Sequence, residues 1–369
     1  MIYLDHHAAA PMPEAVRRAM HEAASVAWAN PSSTHAAGRA SRQLLEGARE
    51  ALAAEIGAKP ADLVLTGGGT EACNLGVRAV AHGRTRLLST SVEHPAVGRS
   101  VERLGREGCD IVLLDPRKGT APSPEELGAH LGASTAVAIQ WINHETGTTF
   151  PIPQYAALCR ERGARLFVDA TQALGKVPVD LAALGADAVA FAAQKIGGPA
   201  GAGACWVRRG LDVDPVLDGG SQERGRRPGT PDTLSMVGFG AACELLQERL
   251  AAQPRLTALR DRVEAALLEQ GAVLNGVPPR VGTVTNLSFE GWEGALLVAA
   301  LDLEGVCVST GAACSSGLQE PSAVIRAMYP DEQWRAGSAL RISLGIETCD
   351  ADIETCLRGF RRVLARKSP

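Results

Sequence analysis

Between about Asp62 and Arg208 the chain alternates short β-rich apolar runs with helix-like runs, and no other feature limits its fold as much. The candidate strands are "LVLT" (63–66), "RLLST" (86–90), "IVLL" (111–114), "TAVAIQWI" (135–142), "RLFVDA" (165–170), "AVAFA" (188–192) and "AGACWV" (202–207). Helical candidates at 70–82, 95–107, 153–162 and 180–184 lie between them. Strands separated by helices predict an α/β domain built on a mostly parallel, seven-stranded sheet flanked by helices. Ligands of such sheets bind at the C-terminal ends of the strands.

The pattern then changes. Two glycine-containing stretches, "LDGGSQERGRRPGTPD" (217–232) and "NGVPPRVG" (275–282), bracket a helical run over 233–270. Strand character returns at "TVTNLSFEG" and at "ALRISLG" (339–345), and an amphipathic helix spans 350–366. These segments predict a smaller α+β domain over 255–369, joined by residues 1–12, beside a large domain over 13–254.

Hydrophobic residues make up 46% of the 369 and charged residues 21%, with a net charge of -4, the balance of a soluble globular chain. No basic excess points to nucleic acid. No apolar stretch approaches the ~20 residues of a membrane helix, and the first residues lack the basic start and apolar core of a signal peptide. A cytoplasmic protein is expected. Nine cysteines, odd in number and scattered, argue against a disulfide framework, and no CxxC pair suggests a metal site.

Several residues carry chemistry. In "LTGGGTEACN" a strand ends at Thr66, glycines follow, and a helix begins near Thr70. Backbone N–H groups at such a helix start attract anions, and Thr70 adds a hydroxyl; the same pattern also describes a tight turn with Thr70 as helix cap. Asp169 ends the strand of "FVDATQALGK", where a carboxylate can pair with a cationic ring nitrogen, and Gln172 can reach the same ligand. Lys195, in "AFAAQKIGGP", stands at the end of the next apolar run. A desolvated lysine there is a nucleophile for carbonyls, although a lone lysine can equally snorkel to water. An anion turn, a strand-end Asp and a strand-end Lys together suit pyridoxal phosphate, which needs a phosphate cradle, a partner for its pyridine nitrogen and an imine-forming lysine. His94, in "STSVEHPAV", follows another strand and can stack on a ring or move protons. Cys314, in "GVCVSTGAACSSG", is surrounded by small and hydroxyl residues, the composition of a mobile exposed loop in which a thiolate nucleophile is accessible.

Taken together these segments resemble the cysteine desulfurases, class V aminotransferase-like enzymes of fold-type I. The likeness runs from "YLDHHAAAP" through "NPSSTHAAGRA", "TGGGTEACN", "SVEHPAV", "NHETG", "VDATQALGK", "QKIGGPAGAGACWVRRG" and "GGSQERGRRPGT" to "STGAACSSGLQEPSAVIRAM" and "ALRISLG". The cysteine segment is similar to the subgroup with a long "SSGSAC" loop. The resemblance implies that Lys195 holds the cofactor and moves the substrate α-proton, Asp169 meets the pyridine nitrogen, Gln172 the ring oxygen, and His94 the ring face. It implies phosphate contacts from Gly69 and Thr70, and from Thr230 across a homodimer interface. It implies that Arg341 clamps the L-cysteine carboxylate, with Asn143 and His144 beside the substrate. Cys314 would take the sulfur as a persulfide, release alanine and deliver the sulfur to an acceptor protein.

The chain departs from that family at three places. The usual Ser-x-His-Lys is "AAQK", so Ala192 replaces a donor and Gln194 stands in for the histidine. His144 replaces an asparagine in "NHETG", and the "NATT"-like segment reads "HAAA", with His7 and Ala10. A selenocysteine lyase or a cysteine-conjugate C–S lyase uses the same scaffold, and a catalytically quiet sulfur-carrier scaffold is a further alternative.

Overall fold

The computed structural model describes residues 1–311 and 320–366. Its strands are β1 (Ile2–Tyr3), β2 (Leu63–Thr66), β3 (Arg86–Thr90), β4 (Asp110–Leu114), β5 (Thr135–Gln140), β6 (Arg165–Asp169), β7 (Ala188–Ala192), β8 (Gly203–Val207), β9 (Val273–Asn275), β10 (Val284–Ser288), β11 (Val306–Cys307) and β12 (Ala339–Ser343). Seven of them form one sheet in the order β2-β8-β7-β6-β5-β3-β4. All neighbours in it are parallel except β8, which runs antiparallel to both β2 and β7. The mostly parallel α/β architecture expected from the alternation is therefore the one observed.

Burial explains why these strands are continuous apolar runs rather than alternating ones. Every residue of β2, β5 and β7 is buried, as helices covering both faces of a parallel sheet require. The helix Gly69–Ala81 lies against one face, and nine of its thirteen residues are buried. It approaches closely at Gly76, where a Cβ would fall 2.3 Å from the Phe167 ring.

Two helices that the strand pattern did not announce, Glu14–Ala27 and Ala36–Glu55, precede the sheet. The single helical run expected over 233–270 is three helices, Thr233–Cys243, Leu246–Ala251 and Gln253–Leu268. Pro254 stands in the first turn of the last, where its missing N–H is tolerated. Strand β5 ends at Gln140 rather than 142, because the chain folds back and bridges Ile142 to Thr149.

The C-terminal part builds a three-stranded antiparallel sheet, β12-β10-β9, and β11 pairs in parallel with β1. Leu4 packs in the same apolar cluster as Leu259, Leu287, Leu340 and Phe360, so the N-terminal segment is cored with the C-terminal residues. Among the described residues no helix is long and apolar enough to cross a membrane.

The edge of β2 is closed by side chains instead of another strand. Glu223 accepts from Leu65 N at 3.0 Å and from Arg49 at 2.7 and 2.8 Å, while Arg226 donates to the carbonyls of Ala61 and Leu63. Open edges invite mispairing, and buried charged groups blunt them.

Gly76→Val drives two methyl groups into the Phe167 ring and is expected to cost about 1–3 kcal/mol. Gly98→Ala, in the helix Pro95–Arg106 with nothing within 4 Å of the new Cβ, is expected to stabilise by roughly 0.5–1 kcal/mol. Urea midpoints of the two variants check both signs.

Candidate active site

Strands β5, β6 and β7 run the same way, so the residues following them collect at one edge. Asp169 is the last residue of β6; its carboxylate accepts from Thr171 N at 3.0 Å and Thr171 Oγ1 at 2.7 Å, which fixes its rotamer. Buried Cys73, on the helix Gly69–Ala81, lies against it; burial first and the Asp169 charge next push that thiol pKa well up. Lys195 ends the short turn Ala193–Lys195 that follows β7.

The N-terminal segment crosses this edge. Lys195 Nζ donates to the carbonyls of His7 at 2.9 Å and Ala8 at 2.8 Å. Gln172 Nε2 donates to the same His7 carbonyl at 2.9 Å, and its Oε1 accepts from Lys176 Nζ at 2.7 Å. Thus one carbonyl draws Lys195 and Gln172 together from two different turns. Lys176 was not singled out in the sequence. Burial, and then the charges of Lys195, Arg249 and Arg341, hold its pKa well below the lysine range.

Two imidazoles stand over the same ground. His94 caps the helix Pro95–Arg106, its Nδ1 accepting from Ala96 N at 3.1 Å, and its ring meets that of His144 edge-on at 5.2 Å between centroids. Burial lowers the pKa of His94; Asp169 opposes the shift and Lys195 adds to it. Burial lowers that of His144 much further. Both rings are therefore neutral near pH 7, as a ring lying on a cofactor or moving a proton requires. Beside His144 the buried Glu145 is raised to about 7 by desolvation, against the hydrogen bond from Ser322 Oγ at 2.6 Å.

Arg341, on β12, comes from the other sheet. Its Nη2 pairs with Asp5 Oδ1 at 2.7 Å and its Nη1 donates to the His144 carbonyl at 3.0 Å, while Nε is buried with no partner among the described residues. Asp5 is the acidic contact that sequence reasoning missed; nothing local in "YLDHH" marks a carboxylate that pairs 336 residues away. Asn143 is fully buried beside His144; it donates to Val92 O and Gln140 Oε1 and accepts from Glu145 N, Thr146 N and Thr146 Oγ1. These bonds fix the turn that presents His144 and brace it against Val92 and Gln140.

The helix Gly69–Ala81 begins at the glycine turn. Gly68 sits at φ 139° with open space within 4 Å of where its Cβ would be, whereas a Cβ on Gly69 would fall 2.7 Å from Ala192 Cβ. The glycine at 69 thus lets the turn approach β7. Glu71 reaches back to Gly67 N at 2.6 Å and is held by Arg227 at 2.8 Å, tying the turn to the loop that carries the exposed Thr230. Gln194 Oε1 is buried with no hydrogen-bond partner among the described residues. Cys314 lies outside the described residues.

The residues fit pyridoxal phosphate: a helix N-terminus with open space above its glycine turn, a strand-end carboxylate, two neutral imidazoles and a lysine held among carbonyls.

Comparison with known proteins agrees with this arrangement. The model of the family described as aminotransferase class-V matches residues 2–356. An "IscS-like cysteine desulfurase" of Mycobacterium tuberculosis is 38% identical over 99% of this chain and 97% of its own. A solved "NifS-like protein" superposes with a TM-score of 0.92 at 28% identity, covering 99% of both chains. A second structure, "SspA in complex with cysteine", superposes at 0.81 with 26% identity over 95% of this chain and all of its own. With the family's model spanning nearly the whole chain and such a relative aligned end to end, the protein belongs to the class V aminotransferases and, within them, to the pyridoxal-phosphate-dependent cysteine desulfurases.

Proposed function

We propose that this protein converts L-cysteine to L-alanine and passes the sulfur, through a persulfide on Cys314, to an acceptor protein. The observation that carries the reading is the His7 carbonyl, which holds Lys195 and Gln172 together at the strand edge that Asp169 terminates, in a chain of this family.

When bound, pyridoxal phosphate supplies an electron sink that acidifies the α-carbon of an attached amino acid. The chain's residues do the rest. Lys195 would hold the group, and its Nζ would take up the substrate α-proton. The Asp169 carboxylate would meet the ring nitrogen and Gln172 the ring oxygen. Neutral His94, with His144 against it, would cover the ring. Gly69, Thr70 and the Gln194 amide would hold the phosphate. Arg341 meets the substrate carboxylate, with Asp5 and the His144 carbonyl fixing its guanidinium in place beforehand. The Cys314 thiolate attacks the substrate sulfur: an S–S bond forms as the Cβ–S bond breaks, and the carbon takes a proton to give alanine. A homodimer in which Thr230 serves the neighbouring phosphate site, a large unit over 13–254 with a small one over 1–12 and 255–369, and a cytoplasmic location complete the reading. The exposed Thr230, on a loop anchored to the glycine turn through Arg227 and Glu71, supports the shared site.

Two replacements test this function, and the second separates it from a lyase on the same scaffold. Lys195→Ala is expected to lower alanine release by roughly 10^2–10^4-fold, the scale of a lost general base. Cys314→Ala is expected to abolish sulfur transfer and to depress alanine release with it; alanine formed from cysteine at the unaltered rate would exclude the persulfide route.

Ala192 has no side-chain donor, and Gln194 offers a neutral one in place of the family's histidine, which predicts a loosely held phosphate. Installing the family's pair with Ala192→Ser and Gln194→His is expected to tighten cofactor binding about tenfold, the worth of one charge-assisted hydrogen bond. Reconstitution titrations of the two apoproteins measure it, and equal affinities would show that other donors already suffice.

A further inference from the structure

A second cavity, of about 780 Å³, lies at the opposite end of the strands that build the active site. Arg165, the first residue of β6, lines it, whereas Asp169, the last, belongs to the active site. Asp187 lines it just before β7, whereas Lys195 follows that strand. Trp206 and Arg208 enter from the far end of the reversed β8. The length of the strands therefore separates the two sites.

The cavity's charge is the reverse of the molecule's. The chain carries a net charge of -4. Five cations, Lys59, Arg84, Arg160, Arg165 and Arg208, line this space against two carboxylates, Asp62 and Asp187. Asp187 is already committed, accepting from Arg208 Nε at 2.7 Å and from Leu166 N at 2.8 Å. Among the described residues Lys59, Arg84 and Arg160 have no carboxylate partner within ion-pair distance. Arg84 Nε is, in addition, buried without a hydrogen-bond partner. Arg165 Nη1 donates to His82 O at 2.8 Å, and burial and then the neighbouring Arg84 charge lower its pKa, opposed by Asp187 and reinforced by Arg208. Lys59, Arg160 and Arg208 are exposed at the rim. Like charges gathered in a concave space are costly unless an anion joins them. Arginine forks match phosphate oxygens in pairs, and a cavity of this volume admits a small molecule rather than a protein surface.

We propose that this cavity binds a small molecule bearing a chain of phosphates, remote from the pyridoxal phosphate site. The phosphate chain is what the arginines recognise. Such a chain occurs in inorganic polyphosphate and in nucleoside triphosphates, and the half-buried Trp206 on the wall distinguishes them, because only the latter bring a base that an indole can stack on.

The test uses the holoenzyme, whose own phosphate site is filled by its cofactor. Inorganic tripolyphosphate and ATP are titrated separately by calorimetry at 150 mM salt. Saturable binding of one molecule per chain is expected for tripolyphosphate. Equal affinity for ATP assigns the site to the phosphate chain alone; tighter ATP binding that is lost in Trp206→Leu adds the base. The double variant Arg84→Ala, Arg160→Ala is expected to weaken binding at least tenfold while leaving alanine release from cysteine and the cofactor absorbance unchanged. Arg358→Ala with Arg361→Ala, which removes the same charge from the exposed face of the C-terminal helix, is expected to leave binding intact. Absence of saturable binding, or equal weakening by the two double variants, would overturn the proposal.

Discussion

The carbonyl of His7 is the contact on which the active site turns. A carbonyl oxygen has two lone pairs, and here one donor comes from Lys195 and the other from Gln172. Placing that oxygen at the strand edge requires the N-terminal segment to be fixed on both sides. His7 N donates to Ser343 Oγ and its Nε2 contacts Thr283 Oγ1, while β1 pairs with β11. The C-terminal sheet is thus joined to the seven-stranded sheet through a few residues of backbone, and Arg341 arrives by the same route. The site is an assembly of two sheets and the segment laid between them.

That assembly sets an unusual electrostatic balance. His6, His7, His94 and His144 all have pKa values lowered chiefly by burial, His6 to about 4. Four histidines are therefore neutral near pH 7, and the cationic groups that face the site are Lys195 and Arg341, opposite Asp5 and Asp169, while burial disfavours charge on Lys176. Desolvation of an imidazole is cheaper than desolvation of an imidazolium, and the nearby cations push the same way. The result is a site that keeps its positive charge on the groups suited to anions, a phosphate and a carboxylate, and leaves its rings uncharged for contact with an aromatic ligand.

Much of this was legible in the sequence. The strands of the main sheet are legible because burial on both faces makes the inner ones short runs of apolar residues bounded by turns; β4, at the edge and only partly buried, is legible from its β-rich run alone. The strand-end rule then pointed to Asp169 and Lys195. The helices Glu14–Ala27 and Ala36–Glu55 precede the first strand of that sheet, so the alternation of strand and helix does not announce them. The motif around Asn143 does not reveal that its side chain bonds Val92 and Gln140 as well as its own turn, which only folding brings together. Asp5 and Lys176 escaped notice because their meaning is tertiary: each acquires it from a partner that only folding brings near, Arg341 for one and Gln172 for the other. The glycine at 69 has a physical reason of its own, since a Cβ there would stand 2.7 Å from Ala192 Cβ.

The loop over 221–230 shows how stability and function share one set of contacts. Glu223 and Arg226 close the edge of β2, and the buried pair of Glu223 with Arg49 secures them, both side chains being under a tenth exposed. Removing one member of such a pair leaves a buried charge alone, which costs more than the pair contributes. Both Glu223 and Arg224 adopt positive φ, 49° and 60°, a conformation that is unfavourable for these residues and persists only where surrounding contacts impose it. The same loop then reaches Glu71 through Arg227, and Glu71 holds Gly67 N at the start of the anion turn. The closure of the sheet edge and the shape of the phosphate-facing turn are therefore consecutive links of one chain of hydrogen bonds, so the loop cannot be relaxed at Glu223 without loosening the turn beside Thr70.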